Sequence, residues 1–343
     1  MAENDIPSTM KAWQYTTAGA GLENTMQINP SAQLPKLKSD QNLVRVIAMA
    51  VNPVDYKIAE LPIVGRLAVS NPATPGLDLV GRVVKPAAGS PFKVGQLVFG
   101  VSGPTAAGGA MAEYAAVNST AAAPLPEGVD PLKACTVGIA GLSACQSILP
   151  YVKDGSRVFL NGGSGGVGTF GIQIAKALGC HVTTTCSTAN VELCKSLGAD
   201  EVLDYKQAPV LEQLKKQKPF DHVVDNVGSQ FDLYFHAHEY TNPSAKYVFV
   251  GASPGFGFVW AMMKAMLLPG FLGGGQRKLG VMAAVPKVDD LKMIGGLMAE
   301  GRLRAVVDSE FAFVDGKKAI ARQKTGRARG KIVVTVNQEL VER

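Results

Sequence analysis

Three glycines in the middle of the chain have a spacing suited to a dinucleotide. Gly163, Gly165 and Gly168 fit the pattern G-x-G-x-x-G within Asn161-Gly162-Gly163-Ser164-Gly165-Gly166-Val167-Gly168. The first glycine permits a tight turn. The second lets backbone N–H groups approach a pyrophosphate, and the third allows a helix to pack closely on the preceding strand. A helix N-terminus at that point favours an anion electrostatically. The loop from Gly163 through Ser164, Gly165, Gly166 and Val167 to Gly168 is therefore the expected pyrophosphate site. About twenty residues on, NAD sites place an acidic residue for the ribose 2′-hydroxyl. Here that place holds Ser187, following Cys186, and no acid occurs until Glu192. A hydroxyl donates to a 2′-phosphate where a carboxylate would repel it. Lys195 and Tyr205, at the ends of neighbouring elements, could join it, so NADPH is the expected cofactor.

Metal chemistry has little to work with. Residues 1–134 contain neither cysteine nor histidine, so no thiolate or imidazole zinc site can be built there. The pair His236 and His238 has no third ligand at convincing spacing. We expect no metal.

The elements that must position the loop follow from apolar runs and breakers. Leu43–Val51, Leu79–Val84 and Gln96–Val101 read as short strands bounded by Gly and Pro, as in a barrel or sandwich. From Pro131 onward the pattern alternates. Strands are expected at 157–160, 181–186, 201–205, 222–225 and 247–250, with helices at 169–178 and 190–197 between them. That alternation predicts a doubly wound parallel sheet. A helix over 288–300 follows, then strands at 304–307 and 332–336. The expected division is a cofactor domain at 132–287 inserted into a β-rich domain formed by 1–131 and 288–343. The segment Phe256–Gly275 is apolar and rich in Gly and Met. It suits a core helix or interface, a lid on a hydrophobic pocket, or contact with lipid.

Charge adds little about partners. The chain has 343 residues, 34 basic against 28 acidic, for a net +6. Seven of the basic residues lie between Gly316 and Lys331 with no acid among them, and the remainder is nearly neutral. These seven are expected to face solvent, apart from Lys331. The segment has no aromatic residue for base stacking, so no nucleic acid is expected. Five cysteines without a C-x-x-C pair, and an acidic start with no apolar leader, suggest a reduced, cytoplasmic setting. No uncharged apolar run is long enough for a membrane span.

Taken together, Asn52-Pro53-Val54-Asp55-Tyr56-Lys57, Pro75-Gly76-Leu77-Asp78, Gly141-Leu142-Ser143-Ala144, the glycine loop and Gly330-Lys331 resemble a known superfamily. It is the medium-chain dehydrogenases/reductases, in their zinc-free quinone oxidoreductase and enone or enoyl reductase branch. The likeness runs from Met10 to Val334 and looks strongest toward fungal homologues. It implies an α/β protein with a GroES-like β-rich catalytic domain and a Rossmann cofactor domain. Zinc-dependent relatives carry Cys where this chain has Asn52, and Gly-His-Glu where it has Gly76-Leu77-Asp78. The resemblance also implies cofactor contacts for Ser143, Asn226, Gly251 and Lys331, in addition to the glycine loop, Ser187, Lys195 and Tyr205. Some relatives place a Lys at Asn190, which here still donates but carries no charge.

The activity so implied is hydride transfer from NADPH to the β-carbon of an α,β-unsaturated carbonyl, or to a quinone. Negative charge then develops on the carbonyl oxygen and calls for a donor. Lys57 is the first candidate, with Asn52 in support and Tyr56 as a further donor. The partner would be a hydrophobic enone, enoyl or quinone molecule, and the chain a monomer or homodimer. Two alternatives stay open: an NADPH-binding protein with a non-redox biosynthetic role, or a regulatory one associated with RNA or an organelle. A short-chain reductase is disfavoured, because no tyrosine has a lysine four residues later.

Overall fold

The structure, a computed structural model, describes residues 6–61, 71–103, 109–228, 231–250 and 256–338. The chain divides into two compact units, Met1–Leu142 with Val285–Arg343, and Ser143–Ala284. Their strands, in chain order, are β1 (Thr9–Gln14), β2 (Gln27–Gln33), β3 (Gln41–Val51), β4 (Asp78–Lys85), β5 (Leu97–Val101), β6 (Tyr114–Asn118) and β7 (Ala122–Pro124). The second unit supplies β8 (Arg157–Asn161), β9 (His181–Cys186), β10 (Glu201–Asp204), β11 (Phe220–Asp225), β12 (Thr241–Phe249) and β13 (Lys278–Val281). The chain then returns with β14 (Val307–Ala312) and β15 (Lys331–Thr335).

In the first unit β3 is the central strand. It pairs antiparallel with β15, β4 and β6, and the sheet runs β14-β15-β3-β4-β5-β7. Nearly every residue of β3 is buried, which explains its almost unbroken apolar sequence. Trp13, Val46, Met49, Leu79, Ile320 and Ile332 belong to the core beneath it. The register Ile332 opposite Val51 and Asp78 opposite Ala50 brings Lys331, Asn52 and Asp78 to one end of three adjacent strands.

The second unit is a six-stranded parallel sheet in the order β10-β9-β8-β11-β12-β13. Strand order reverses between β8 and β11, the switch point at which doubly wound sheets bind ligands beyond the carboxyl ends of their strands. The expected α/β architecture, a β-rich unit plus a doubly wound parallel sheet, is thus present.

Three expectations need correcting or refining. The strand placed at 304–307 lies at Val307–Ala312 instead. Its polar residues, Asp308-Ser309-Glu310, look like a turn in sequence but sit on an edge strand, where a polar face is ordinary. The basic segment is not a solvated face throughout. Arg322 makes a two-pronged pair with Asp308 (Nε 2.9 Å, Nη2 2.7 Å), and Lys324 reaches Glu23 (2.7 and 2.9 Å) and Glu60 (2.9 Å). Finally, the apolar segment contains the helix Phe256–Leu267. Phe258, Ala261, Met262 and Ala265 pack on the core, while Val259, Trp260, Met263, Met266 and Leu267 are exposed. Among the described residues no helix is long and apolar enough to cross a membrane.

Candidate cofactor and active site

Strand β8 ends at Asn161, and Gly162 turns the chain with φ +85°. The helix Gly166–Ala177 begins directly after Gly165. The three fingerprint glycines are required for different reasons. A Cβ on Gly163 would come within 2.1 Å of Thr184 Oγ1, which is pinned by donating to Leu160 O at 2.6 Å. A Cβ on Gly168 would lie 2.2 Å from Gly162 O. Both glycines allow close backbone packing. Gly165 differs: its φ of −82° is open to any residue, and a Cβ there would meet only Gly162 O at 3.7 Å, an ordinary contact. Neither conformation nor internal packing asks for glycine at 165. Close approach of a ligand to its backbone would.

Beside this loop, at the end of β9, lies a cluster of uncharged donors. Asn190 Nδ2 donates to Ser164 Oγ at 3.1 Å and to Ser187 Oγ at 3.3 Å. The structure therefore brings together three of the residues singled out for the cofactor. Lys195 is exposed and pairs with Glu192 at 3.1 Å. Tyr205 is half exposed, with Lys206 Nζ 5.7 Å from its ring centre. Asp204, not foreseen as relevant, closes β10 beside them. It accepts from Thr188 Oγ1 at 2.6 Å and from the N–H of Lys206 at 2.9 Å, and these bonds hold its carboxyl below the usual range.

The carboxyl ends of β8, β9 and β11 are stitched by a buried polar network. Asn161 donates to Asp225 Oδ1 at 2.9 Å and accepts from Thr185 Oγ1 at 2.6 Å. Asp225 also receives the N–H groups of Val227 and Gly228, and the Tyr247 hydroxyl at 2.8 Å. Asn226 donates to Asn161 O at 3.1 Å, but its Oδ1 is buried with no partner among the described residues. An orphaned acceptor at the switch point, together with the open position at Gly165, fits a nicotinamide dinucleotide. Ser143 is buried at the start of this unit, and Gly251 lies outside the described residues.

In the β-rich unit, β3 leads into Asn52 and the short helix Pro53–Lys57. Proline at the first helical position and the Asn52–Asp55 capping box start that helix. Asn52, Asp55, Asp78 and Lys331 are all buried. Lys331 Nζ lies 2.6 Å from Asn52 Oδ1 and 3.0 Å from Asp78 Oδ2. Asp78 Oδ1 in turn accepts the N–H of Ile139 at 2.7 Å. Lys331, one of the residues expected to contact the cofactor, is 3% exposed and clasps Asn52. Tyr56 and Lys57 are half-buried. Burial pushes the Tyr56 phenol up, with Glu60 adding to the effect, and pushes the Lys57 ammonium down.

The same cluster answers whether zinc would fit. The amide oxygen of Asn52 is already bonded to an ammonium, and Asp78 is ion-paired to that ammonium. No imidazole is present there, burial pushes the neighbouring Cys135 thiol well up and so disfavours a thiolate, and a divalent ion would sit against a fixed positive charge. These residues do not suit zinc. Among the described residues no group of three His, Cys, Asp or Glu could hold a metal.

A family model described as an alcohol dehydrogenase GroES-like domain matches residues 38–127, and one described as a zinc-binding dehydrogenase matches 197–334. The trans-enoyl reductase pgmF of Aspergillus terreus is 49% identical, covering 97% of this chain and 98% of its own. A chloroplast envelope quinone oxidoreductase homolog of Arabidopsis thaliana is 30% identical, over 95% and 98%. The solved quinone oxidoreductase of Coxiella burnetii superposes with a TM-score of 0.82 at 26% identity, covering 96% of this chain and 99% of that one.

Proposed function

This chain belongs to the medium-chain dehydrogenase/reductase superfamily, an oxidoreductase family using nicotinamide cofactors, and on that premise we propose that it is a metal-independent, NADPH-dependent reductase of α,β-unsaturated carbonyl compounds. The observation that carries the reading is the buried Lys331 ammonium held between Asn52 and Asp78. A fixed protein cation occupies the cluster in which metal-dependent relatives would need thiolate and imidazole ligands, so polarising the substrate falls to protein donors. The enoyl class of substrate is suggested by the similarity to a trans-enoyl reductase along nearly the whole chain. A quinone is the second acceptor class, favoured by the quinone oxidoreductase relatives.

When bound, the reduced nicotinamide supplies the hydride. The residues of this chain do the rest. Ser164, Ser187 and Asn190 offer uncharged donors to a 2′-phosphate, with Lys195 and Tyr205 nearby in sequence and fold; this favours NADPH over NADH. The backbone N–H groups opening the helix Gly166–Ala177 hold the pyrophosphate. Lys57 is assigned to the developing enolate oxygen and to returning a proton. Half-burial lowers its pKa, which makes the ammonium a better acid than a solvated lysine. Tyr56 is the second donor on the same short helix. Asn52, its Oδ1 held by Lys331, is fixed in orientation so that the amide N–H₂ keeps one direction. The test is NADPH oxidation against a panel of enones, enoyl thioesters and quinones. Saturable NADPH binding with no member of the panel reduced would defeat the reading.

A further inference from the structure

The reaction just described leaves Asp55 without a role, yet its setting is unusual. The side chain is 3% exposed. Its Oδ2 accepts the backbone N–H of Asn52 at 2.7 Å, while Oδ1 is buried with no hydrogen-bond partner among the described residues. Three charged or titratable groups from other elements face it: Asp78 at the start of β4, Lys331 at the start of β15, and Tyr15 just after β1. The backbone N–H of Leu77 faces it too.

The one ammonium in this cluster is already divided between Asn52 Oδ1 and Asp78 Oδ2. Ionising Asp55 would put a second carboxylate in the same dry volume without a second cation. Burial is the main reason that its proton is held to about pH 7, with the Asp78 charge acting in the same direction. The Asn52 N–H and Lys331 oppose it. An ionised Asp55 would attract the Lys331 ammonium, the cation that holds Asn52.

We propose that Asp55 is a positioning residue for Asn52: it is protonated in the working enzyme, and its ionisation draws the Lys331 ammonium away from the Asn52 amide and so lowers turnover. The effect on turnover rests on the reductase reading; the coupling between Asp55 and Asn52 does not. Because the neutral form works, activity falls as pH rises through the Asp55 pKa, giving a limb on the alkaline side.

Two measurements test this. The first follows the Asn52 side-chain amide resonances of the labelled full-length protein across neutral pH, with no substrate present. They should shift with a midpoint of about pH 7 in the wild type. The shift should be absent in Asp55→Asn, which mimics the neutral carboxyl. Asn52 resonances that do not titrate, or that titrate equally in Asp55→Asn, overturn the proposal whether or not the protein reduces anything. The second is kcat against pH with NADPH and the best substrate of the panel. The wild type should lose about tenfold per pH unit above the midpoint. Asp55→Asn should lose the fall centred at about pH 7 while keeping kcat on the acid side within about threefold, and Asp55→Ala should be low throughout. A limb that keeps its midpoint of about pH 7 in a folded Asp55→Asn also overturns the proposal, whereas loss of the Lys57 proton gives a separate fall that both proteins share.

Discussion

Lys331 Nζ and Asn52 Oδ1 lie 2.6 Å apart although 279 residues separate them in sequence. This contact joins β15 to the turn that launches the Tyr56–Lys57 helix. It is a buried, charge-assisted hydrogen bond that also satisfies Asp78, so its loss should be felt in stability as well as in orientation.

Lys331→Met removes the cation and leaves Asp78 buried with the Ile139 N–H as its remaining bond. The expected cost is about 3–5 kcal/mol in urea unfolding, because an uncompensated buried charge remains. Adding Asp78→Asn should recover a large part of it. A single variant as stable as the wild type would show that the pair is dispensable.

The fingerprint glycines should separate into structural and ligand-dependent positions. Gly165→Ala should melt within a few degrees of the wild type yet bind NADPH at least tenfold more weakly, a loss of about 1.4 kcal/mol. Gly163→Ala should lower the melting temperature outright, because Thr184 and the β8–β9 register must shift; overpacking of this kind costs about 1–3 kcal/mol. Equal thermal losses in both variants would mean that Gly165, too, is a packing glycine.

Cofactor choice should turn on the Ser187 cluster. Ser187→Asp places a carboxylate beside Ser164 and Asn190, repels a 2′-phosphate and offers the ribose hydroxyls an acceptor. The NADPH/NADH affinity ratio, read by fluorescence titration, should fall at least tenfold. A ratio unmoved by this change would place 2′-phosphate recognition elsewhere.

Lys57→Ala should lower kcat about tenfold or more with little change in NADPH affinity, since general-acid assistance contributes about 10²–10⁴-fold. Part of that loss should return in Lys57→Arg, which restores the cation but not the readily donated proton. Unchanged steady-state turnover in the alanine variant would remove Lys57 from the mechanism.

What the sequence made legible was local. The glycine loop is a contiguous motif between a strand and a helix, and β9 lies at 181–186 as its branched residues suggest. The parallel sheet announces itself by alternation. Partnerships across the chain are different in kind. Lys324 and Glu23 lie 301 residues apart, and nothing in the spacing of the basic segment indicates that its charges are met by Glu23, Glu60 and Asp308. Strand β14 lies C-terminal to the apolar residues that suggest it, because its edge-strand polarity resembles a turn. Asp55 caps the turn at Asn52, but its Oδ1, without a partner among the described residues, and the shared ammonium appear only once three strand ends are brought together. A resemblance supplied Lys331 as a site residue, and its bond to Asn52 appears only in the fold.

The most direct test of a metal-independent, NADPH-driven conjugate reduction is isotopic. Protein treated with a strong chelator is given NADPH deuterated at the nicotinamide C4 and an enoyl thioester or enone, and the product is analysed by NMR. The account predicts undiminished turnover after chelation and deuterium at the β-carbon. It is contradicted by turnover that chelation abolishes and zinc restores, or by deuterium at the carbonyl carbon.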